Sequence, residues 1–260
     1  MIDTTCLLFI PAKERFLQKL SSYTNDCIII DLEDSISIKD KEIALNNLVN
    51  CLNAMTNINT GKWFIRINKD NIEYELEVLN KFNVGFMLPK TESVEEILKH
   101  KHLLRGHCVI ALIETPQGLI NIQEICSCEA VSAIAFGAED FTAQLRMKND
   151  NTLLLFAKSR LVTFAKVYQK PVYDTPSFNV TDEDLFKEDV DYSVNLGFDG
   201  KLAIHPKQLS YIKDAYHAQN IEHLRLIVKE YEEKGGGAVV IEGNVYEQMH
   251  INNIKKILNQ

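Results

Sequence analysis

The sequence has no apolar run long enough to cross a bilayer, and its first one, Leu7-Leu8-Phe9-Ile10, is too short for a secretory leader. Membrane insertion and export are not expected, and a cytoplasmic location is. Basic clusters are missing too: the longest are pairs such as Lys255-Lys256, in a chain of formal net charge -8. Binding to nucleic acid or to an anionic membrane requires a basic patch, so both partners are disfavoured. The six cysteines (Cys6, Cys27, Cys51, Cys108, Cys126 and Cys128) lack the CxxC pairing of a zinc site. Cys126-Ser-Cys128, the one close pair, reads as two small buried or helical residues. Scattered thiols among apolar neighbours suit a reducing compartment. There is no internal repeat and no low-complexity segment.

What is present is an alternation. The chain has 260 residues, 46% of them hydrophobic and 25% charged, enough for one large α/β domain or two small ones. Short apolar runs recur at 7–11, 27–32, 63–68, 85–89, 109–113, 133–137, 171–173 and 201–205. Most lack polar alternation, which is how a strand reads when both faces are covered, as in a parallel sheet. Amphipathic stretches separate them. Residues 92–102 carry acids early and lysines late, which suits a helix dipole. Residues 151–168 and 182–196 are also predicted helices, the second with Asp182 as a cap. Eight strands alternating with helices imply a closed barrel or a doubly wound open sheet. The tail from Gly235 differs: three consecutive glycines, a short apolar run at 238–241, a Gly243-Asn244 turn and a last helix from about Glu247 suggest a small appendage on a flexible joint.

The predicted strands end in chemistry. The second runs into Asp31-Leu32-Glu33-Asp34, the third into Arg66 and Asn68, and the fourth into Pro89-Lys90. The fifth ends in Glu114-Thr115, the sixth in Glu139-Asp140, the seventh in Asp174 and the eighth in His205. In a barrel these termini share one mouth, so residues far apart in sequence converge there. Acids at adjacent strand ends, with few histidines or thiols near, suit a hard cation such as Mg2+, which needs only one or two carboxylates. Arg66 is a natural clamp for a substrate carboxylate, and its structural reading is a salt bridge inside the barrel with Glu33 or Asp34, Glu33 being the best partner. His205, ahead of Pro206, reads as a structural hydrogen-bonder, and Phe9 and Phe136 as barrel packing.

The motifs Leu8-Phe9-Ile10-Pro11, Ile30-Asp31-Leu32-Glu33-Asp34-Ser35, Arg66-Ile67-Asn68 and Leu88-Pro89-Lys90 occur in order. Leu112-Ile113-Glu114-Thr115, Phe136-Gly137-Ala138-Glu139-Asp140-Phe141 and Gly197-Phe198-Asp199-Gly200-Lys201-Leu202-Ala203-Ile204-His205-Pro206 follow. Together they resemble the citrate lyase beta subunit family, in the HpcH/HpaI aldolase/citrate lyase superfamily with the malyl-CoA lyases. The resemblance runs from about Leu7 to the last helix.

That resemblance implies a TIM (β/α)8 barrel over residues 1–218 and a C-terminal helical or lid extension over 219–260 that packs on a neighbouring subunit of a homotrimer or dimer of trimers. It implies Mg2+ on Glu114 and Asp140, substrate contacts from Arg66, Glu114, Ala138 and Glu139, and supporting roles for Asp31, Glu33 and Asp34. The implied reaction is carbon–carbon cleavage of a citryl- or malyl-type thioester, carried on CoA or an acyl-carrier protein, to a 2-keto acid such as oxaloacetate. An aldolase for free 2-keto or hydroxy acids and a non-catalytic oxaloacetate-binding barrel are the alternatives. Glu247 stands where thioester-cleaving relatives carry an aspartate that reaches a neighbour's site as acid or base. Further departures are Ala12 after the first strand, Ala44-Leu45 in place of an Ala-Arg pair, and Glu75 in place of an aspartate.

Overall fold

The computed structural model describes residues 4–23, 26–55, 62–147, 151–217 and 221–258. Every one of the eight apolar runs overlaps a strand: β1 (Cys6–Pro11), β2 (Ile28–Asp31), β3 (Trp63–Arg66), β4 (Gly85–Leu88), β5 (Val109–Ile113), β6 (Ala133–Phe136), β7 (Val172–Asp174) and β8 (Gly200–Ala203). They pair in parallel in chain order, and β1 closes on β8 with Cys6 opposite Lys201 and Leu8 opposite Ala203. The fold is therefore a TIM barrel with helices between the strands. Every residue of β2, β3, β5 and β6 is buried, which is why these segments read as unbroken apolar runs.

Side chains alternate along each strand between the barrel axis and the helical shell. Leu7, Ile29, Phe64, Met87, Ile110, Leu112, Ala133, Ala135, Tyr173 and Leu202 form the interior cluster, with Phe9 packed against it. The shell helices begin where local chemistry satisfies their first N–H groups. Asp182 Oδ1 accepts the Leu185 N–H ahead of helix Glu183–Asn195, and Thr115 Oγ1 accepts the Gly118 N–H ahead of Pro116–Ile120. The stretch expected as one helix at 92–102 is two, Val94–Lys99 and Lys101–Leu104, parted at His100. Cys126 and Cys128 are buried, as their surroundings imply.

Between barrel and shell lies a buried ionic cluster. Asp174 Oδ2 accepts from Lys158 Nζ at 2.9 Å and Lys201 Nζ at 3.0 Å, and Lys201 also meets Asp189 at 3.2 Å. This corrects the expectation that Asp174 faces the barrel mouth. It is one residue out of phase with the inward positions and points at the helices instead. Lys201 is a fully buried strand residue.

The chain divides into two compact units, Met1–Ile212 and Lys213–Gln260. The boundary expected at 218/219 lies outside the described residues. In the second unit, helix Ile221–Glu233 is followed by the antiparallel pair β9 (Val239–Ile241) and β10 (Asn244–Tyr246) and by helix Gln248–Leu258. These elements share a cluster of Ile227, Tyr231, Val239, Ile241, Ile251 and Ile254. The glycine run sits inside this unit rather than at its junction. All three glycines have positive φ, which side chains resist, and the Tyr231 hydroxyl clasps the turn by donating to Gly237 O and accepting from Gly237 N. Among the described residues, no helix is long and apolar enough to cross a membrane.

Candidate active site

On seven of the strands the last interior position has a successor two residues further on, at the C-terminal rim. From Phe9, Ile29, Phe64, Leu112, Ala135, Tyr173 and Leu202 these successors are Pro11, Asp31, Arg66, Glu114, Gly137, Thr175 and Ile204, and all seven line one cavity of about 390 Å³. Asp34, Ser35, Glu139, Asp140, Pro176 and Phe178 complete its wall with Phe9, Leu112, Phe136 and Leu202. The cavity wall thus combines acids and one arginine with apolar side chains. Phe9 and Phe136, expected as packing, also face it.

Asp31 and Arg66 are side by side in the β2–β3 register, so both project inward together. Arg66 Nε and Nη2 donate to the two oxygens of Asp31 at 2.7 and 2.8 Å, and Nη1 donates to Asp34 Oδ2 at 3.0 Å. Glu33, the partner expected from sequence, stands further off at 3.4 Å. The strand register decides this: it sets Asp31, not Glu33, opposite Arg66. The guanidinium carbon also lies 5.0 Å from the Phe9 ring centroid, a stacked arrangement that fixes its plane. Burial would push the Asp31 carboxyl up, but the hydrogen bonds and charge of Arg66 outweigh it and hold the group below its ordinary value.

Glu114, at the end of β5, is buried and pushed up to about 8, first by desolvation and then by the charge of Glu33. Its Oε1 accepts the Lys90 N–H at 2.8 Å. Its other side lies against Gly137, where a Cβ would meet Glu114 Oε2 at 2.6 Å and Glu114 Cβ at 2.7 Å. The glycine ending β6 is what lets this carboxylate sit at the rim. Glu33 is likewise raised, by burial over the pull of Lys90 and Arg66, and its Oε2 has no hydrogen bond among the described residues. Asp140, in the first turn of helix Ala138–Gln144, is partly exposed on the same wall.

Lys90, which the sequence places at the shared mouth without a role, follows β4 as Arg66 ends β3. Its Nζ bonds Glu33 Oε1 at 2.9 Å and lies 3.4 Å from Asp140 and 3.9 Å from Glu114. Its backbone is left-handed, with φ +46. For a residue with a side chain that conformation costs about 1–2 kcal/mol.

Ala138 is buried next to this wall, and its N–H donates to Thr175 Oγ1 at 3.3 Å. Glu139 is exposed on the cavity wall. His205 is off the wall, its Nδ1 accepting the Lys207 N–H. Glu247 belongs to the second unit, exposed ahead of helix Gln248–Leu258, where its N–H donates to His250 Nδ1.

A divalent cation fits this chemistry. With every group ionised, Asp31, Glu33, Asp34, Glu114 and Asp140 bring five negative charges against the two positive charges of Arg66 and Lys90. Glu114 is a buried carboxylate in want of a counter-charge, and all the donors are oxygens, as hard cations require. Among the described residues no group of three or more His, Cys, Asp or Glu forms a full metal cage. A site of two carboxylates completed by water and substrate oxygens is the pattern of Mg2+.

A closed parallel barrel with acids and one arginine gathered at the strand C-termini defines a class: TIM-barrel proteins built to act on small oxygen-rich anions with a hard cation. The family is more particular. Residues 5–206 match the family model HpcH/HpaI aldolase/citrate lyase, and the chain belongs to that family. Citrate lyase subunit beta of Escherichia coli (strain K12) is 27% identical over 280 residues, covering 98% of this chain and 92% of the relative. The mitochondrial citramalyl-CoA lyase of Mus musculus is 26% identical over 279 residues, covering 95% and 82%. A solved citrate lyase beta subunit from M. tuberculosis, complexed with oxaloacetate and magnesium, aligns with a TM-score of 0.71 and 26% identity, covering 82% of this chain and 96% of that one.

Proposed function

We propose that this protein is a Mg2+-dependent carbon–carbon lyase that cleaves a citryl- or malyl-type thioester to a 2-keto acid and an acyl thioester. The observation that carries this reading is the convergence of Arg66, Glu114 and Asp140 on one cavity that Phe9, Leu112, Phe136 and Leu202 also line. The lyases among the relatives, and the oxaloacetate and magnesium in the M. tuberculosis structure, support it. Glu114 and Asp140 would hold the cation. Bound there, Mg2+ supplies Lewis-acid stabilisation of negative charge developing on substrate oxygen.

The remaining steps fall to the chain's own residues. Arg66, oriented by Asp31 and Asp34 before substrate arrives, meets the substrate carboxylate or the thioester oxygen. Phe9, Leu112, Phe136, Leu202 and Ile204 exclude water from that contact. In cleavage the substrate hydroxyl loses its proton to a base and the carbon–carbon bond breaks. The electron pair passes into the thioester enolate, which takes a proton to give the acyl thioester.

We assign the acid–base role to Glu247, acting in the site of a neighbouring subunit of a homotrimer or dimer of trimers. Support comes from Val240, Val245 and Met249, large apolar side chains left exposed on the same small unit. Six free cysteines favour a cytoplasmic setting.

The test is thermal shift with oxaloacetate, pyruvate and acetyl-CoA, each with and without Mg2+, followed by a cleavage assay on citryl-, malyl- and citramalyl-CoA. Stabilisation by a keto acid only when Mg2+ is present is expected, and Glu114→Gln with Asp140→Asn should abolish it. Undiminished Mg2+ dependence in that double variant would move the metal elsewhere. Turnover of free 2-hydroxy acids but of no thioester would make the protein an aldolase instead.

A further inference from the structure

We propose that Lys90 is a further residue of the cation site: its ammonium is a resident counter-charge that binds the rim carboxylates together before a divalent cation arrives and opposes that cation once it is there. The inference rests on the reading of Glu114 and Asp140 as metal ligands.

The geometry places Lys90 between two sets of acids. Nζ is 2.9 Å from Glu33 Oε1 and 4.0 Å from Asp34 Oδ1, the acids around Arg66. It is 3.4 Å from Asp140 Oδ2 and 3.9 Å from Glu114 Oε1, the acids assigned to the cation. Glu33 alone of the four accepts a hydrogen bond from it. The ammonium is therefore anchored on Glu33 and only loosely associated with the two groups a metal would take.

The backbone beneath it is pinned at both ends. The Lys90 N–H donates to Glu114 Oε1 at 2.8 Å, and the Lys90 carbonyl accepts from Lys69 Nζ at 2.9 Å, with Lys69 held in turn by Glu96 at 3.0 Å. The left-handed turn at Lys90 is what aims its N–H at Glu114 and its ammonium at Glu33. With the main chain fixed, accommodation of a cation falls to the side chain. A cation on Glu114 and Asp140 would lie beside that ammonium and meet its repulsion. The metal affinity of the intact protein is accordingly lower than its carboxylates alone would give, while the metal-free site is more stable.

Metal-stripped full-length protein is titrated with Mn2+, and binding is followed by loss of the free-ion EPR signal. Lys90→Met is expected to bind Mn2+ about tenfold more tightly than wild type, from removal of one nearby positive charge. Its metal-free melting temperature should fall, and the gap to the Mn2+-saturated value should widen. Lys90→Arg keeps the charge and should stay near wild type. Lys90→Gln, which retains a donor for Glu33, must show the same tightening and covers the case in which Lys90→Met does not fold. Affinity unchanged or weaker in folded Lys90→Met or Lys90→Gln overturns the counter-charge role while leaving the metal site standing. A wild-type protein that binds no Mn2+ overturns both.

Discussion

Arg66 is held in place before any substrate arrives, and that is what distinguishes it from a generic positive charge. Asp31 grips it through two parallel hydrogen bonds, and Phe9 lies under its plane. Arg66→Lys keeps the charge but loses the fork, so keto-acid affinity should weaken about thirtyfold, or roughly 2 kcal/mol, with the fold intact. Isothermal titration with oxaloacetate or pyruvate in saturating Mg2+ reads this directly, and equal affinity would remove Arg66 from substrate contact.

Glu75 offers a test on stability alone. It is buried, its Oε2 accepts the Asn68 N–H at 2.7 Å, and burial pushes it up to about 7 from 4.5. Between those values the folded state binds more protons than the unfolded one, so its contribution to stability declines as pH rises through the window and then levels off. Glu75→Gln keeps an acceptor oxygen without the charge. It should stabilise the protein by up to roughly 3 kcal/mol at pH 8 and hardly at all at pH 4, as measured by urea denaturation at each pH. Glu75 was legible in the sequence only as a departure from a pattern. Its burial depends on a helix packing that no local motif announces.

The strands were the most legible elements, because burial on both faces leaves a run of apolar residues that loops do not imitate. Their phase was less so. Asp174 and Thr175 are adjacent, yet one faces the helices and the other the cavity, and nothing local to 171–175 says which. Arg66 pairs with Asp34 and Glu33 as expected, but its two shortest bonds go to Asp31, because Asp31 and Glu33 are equally acidic and only the pairing of β2 with β3 separates them. Gly137 shows how closely neighbouring strand ends depend on each other. Gly137→Ala would place a methyl group within 2.7 Å of Glu114 atoms, including its Cβ, so the carboxylate must move. A stability loss of about 1–3 kcal/mol is expected, together with weaker Mn2+ binding. Retained Mn2+ affinity in that variant would separate Glu114 from the cation.

At the scale of the whole molecule, the alternation of strands and helices left a closed barrel and an open sheet both possible, the family resemblance selected the barrel, and the glycine-rich tail suggested a separate piece. The glycines were misread as the joint, because positive φ serves a clasped turn as well as a hinge; here Tyr231 closes the turn. The proposed division of labour between subunits has its own test. Co-refolding Arg66→Ala with Glu247→Ala should restore part of the cleavage activity that each variant lacks, because some mixed sites draw both intact groups from different chains. Proven mixed oligomers without activity would refute the shared site. The spacing of two residues between the interior cluster and the rim also bears on how such a protein can change over generations. About 7 Å of strand separates the residues that hold the barrel closed from those that meet a ligand. Mutation at the upper positions can therefore explore new acids and new carriers while the layer below keeps the chain folded, and a lineage can trade one substrate for another without first losing its shape.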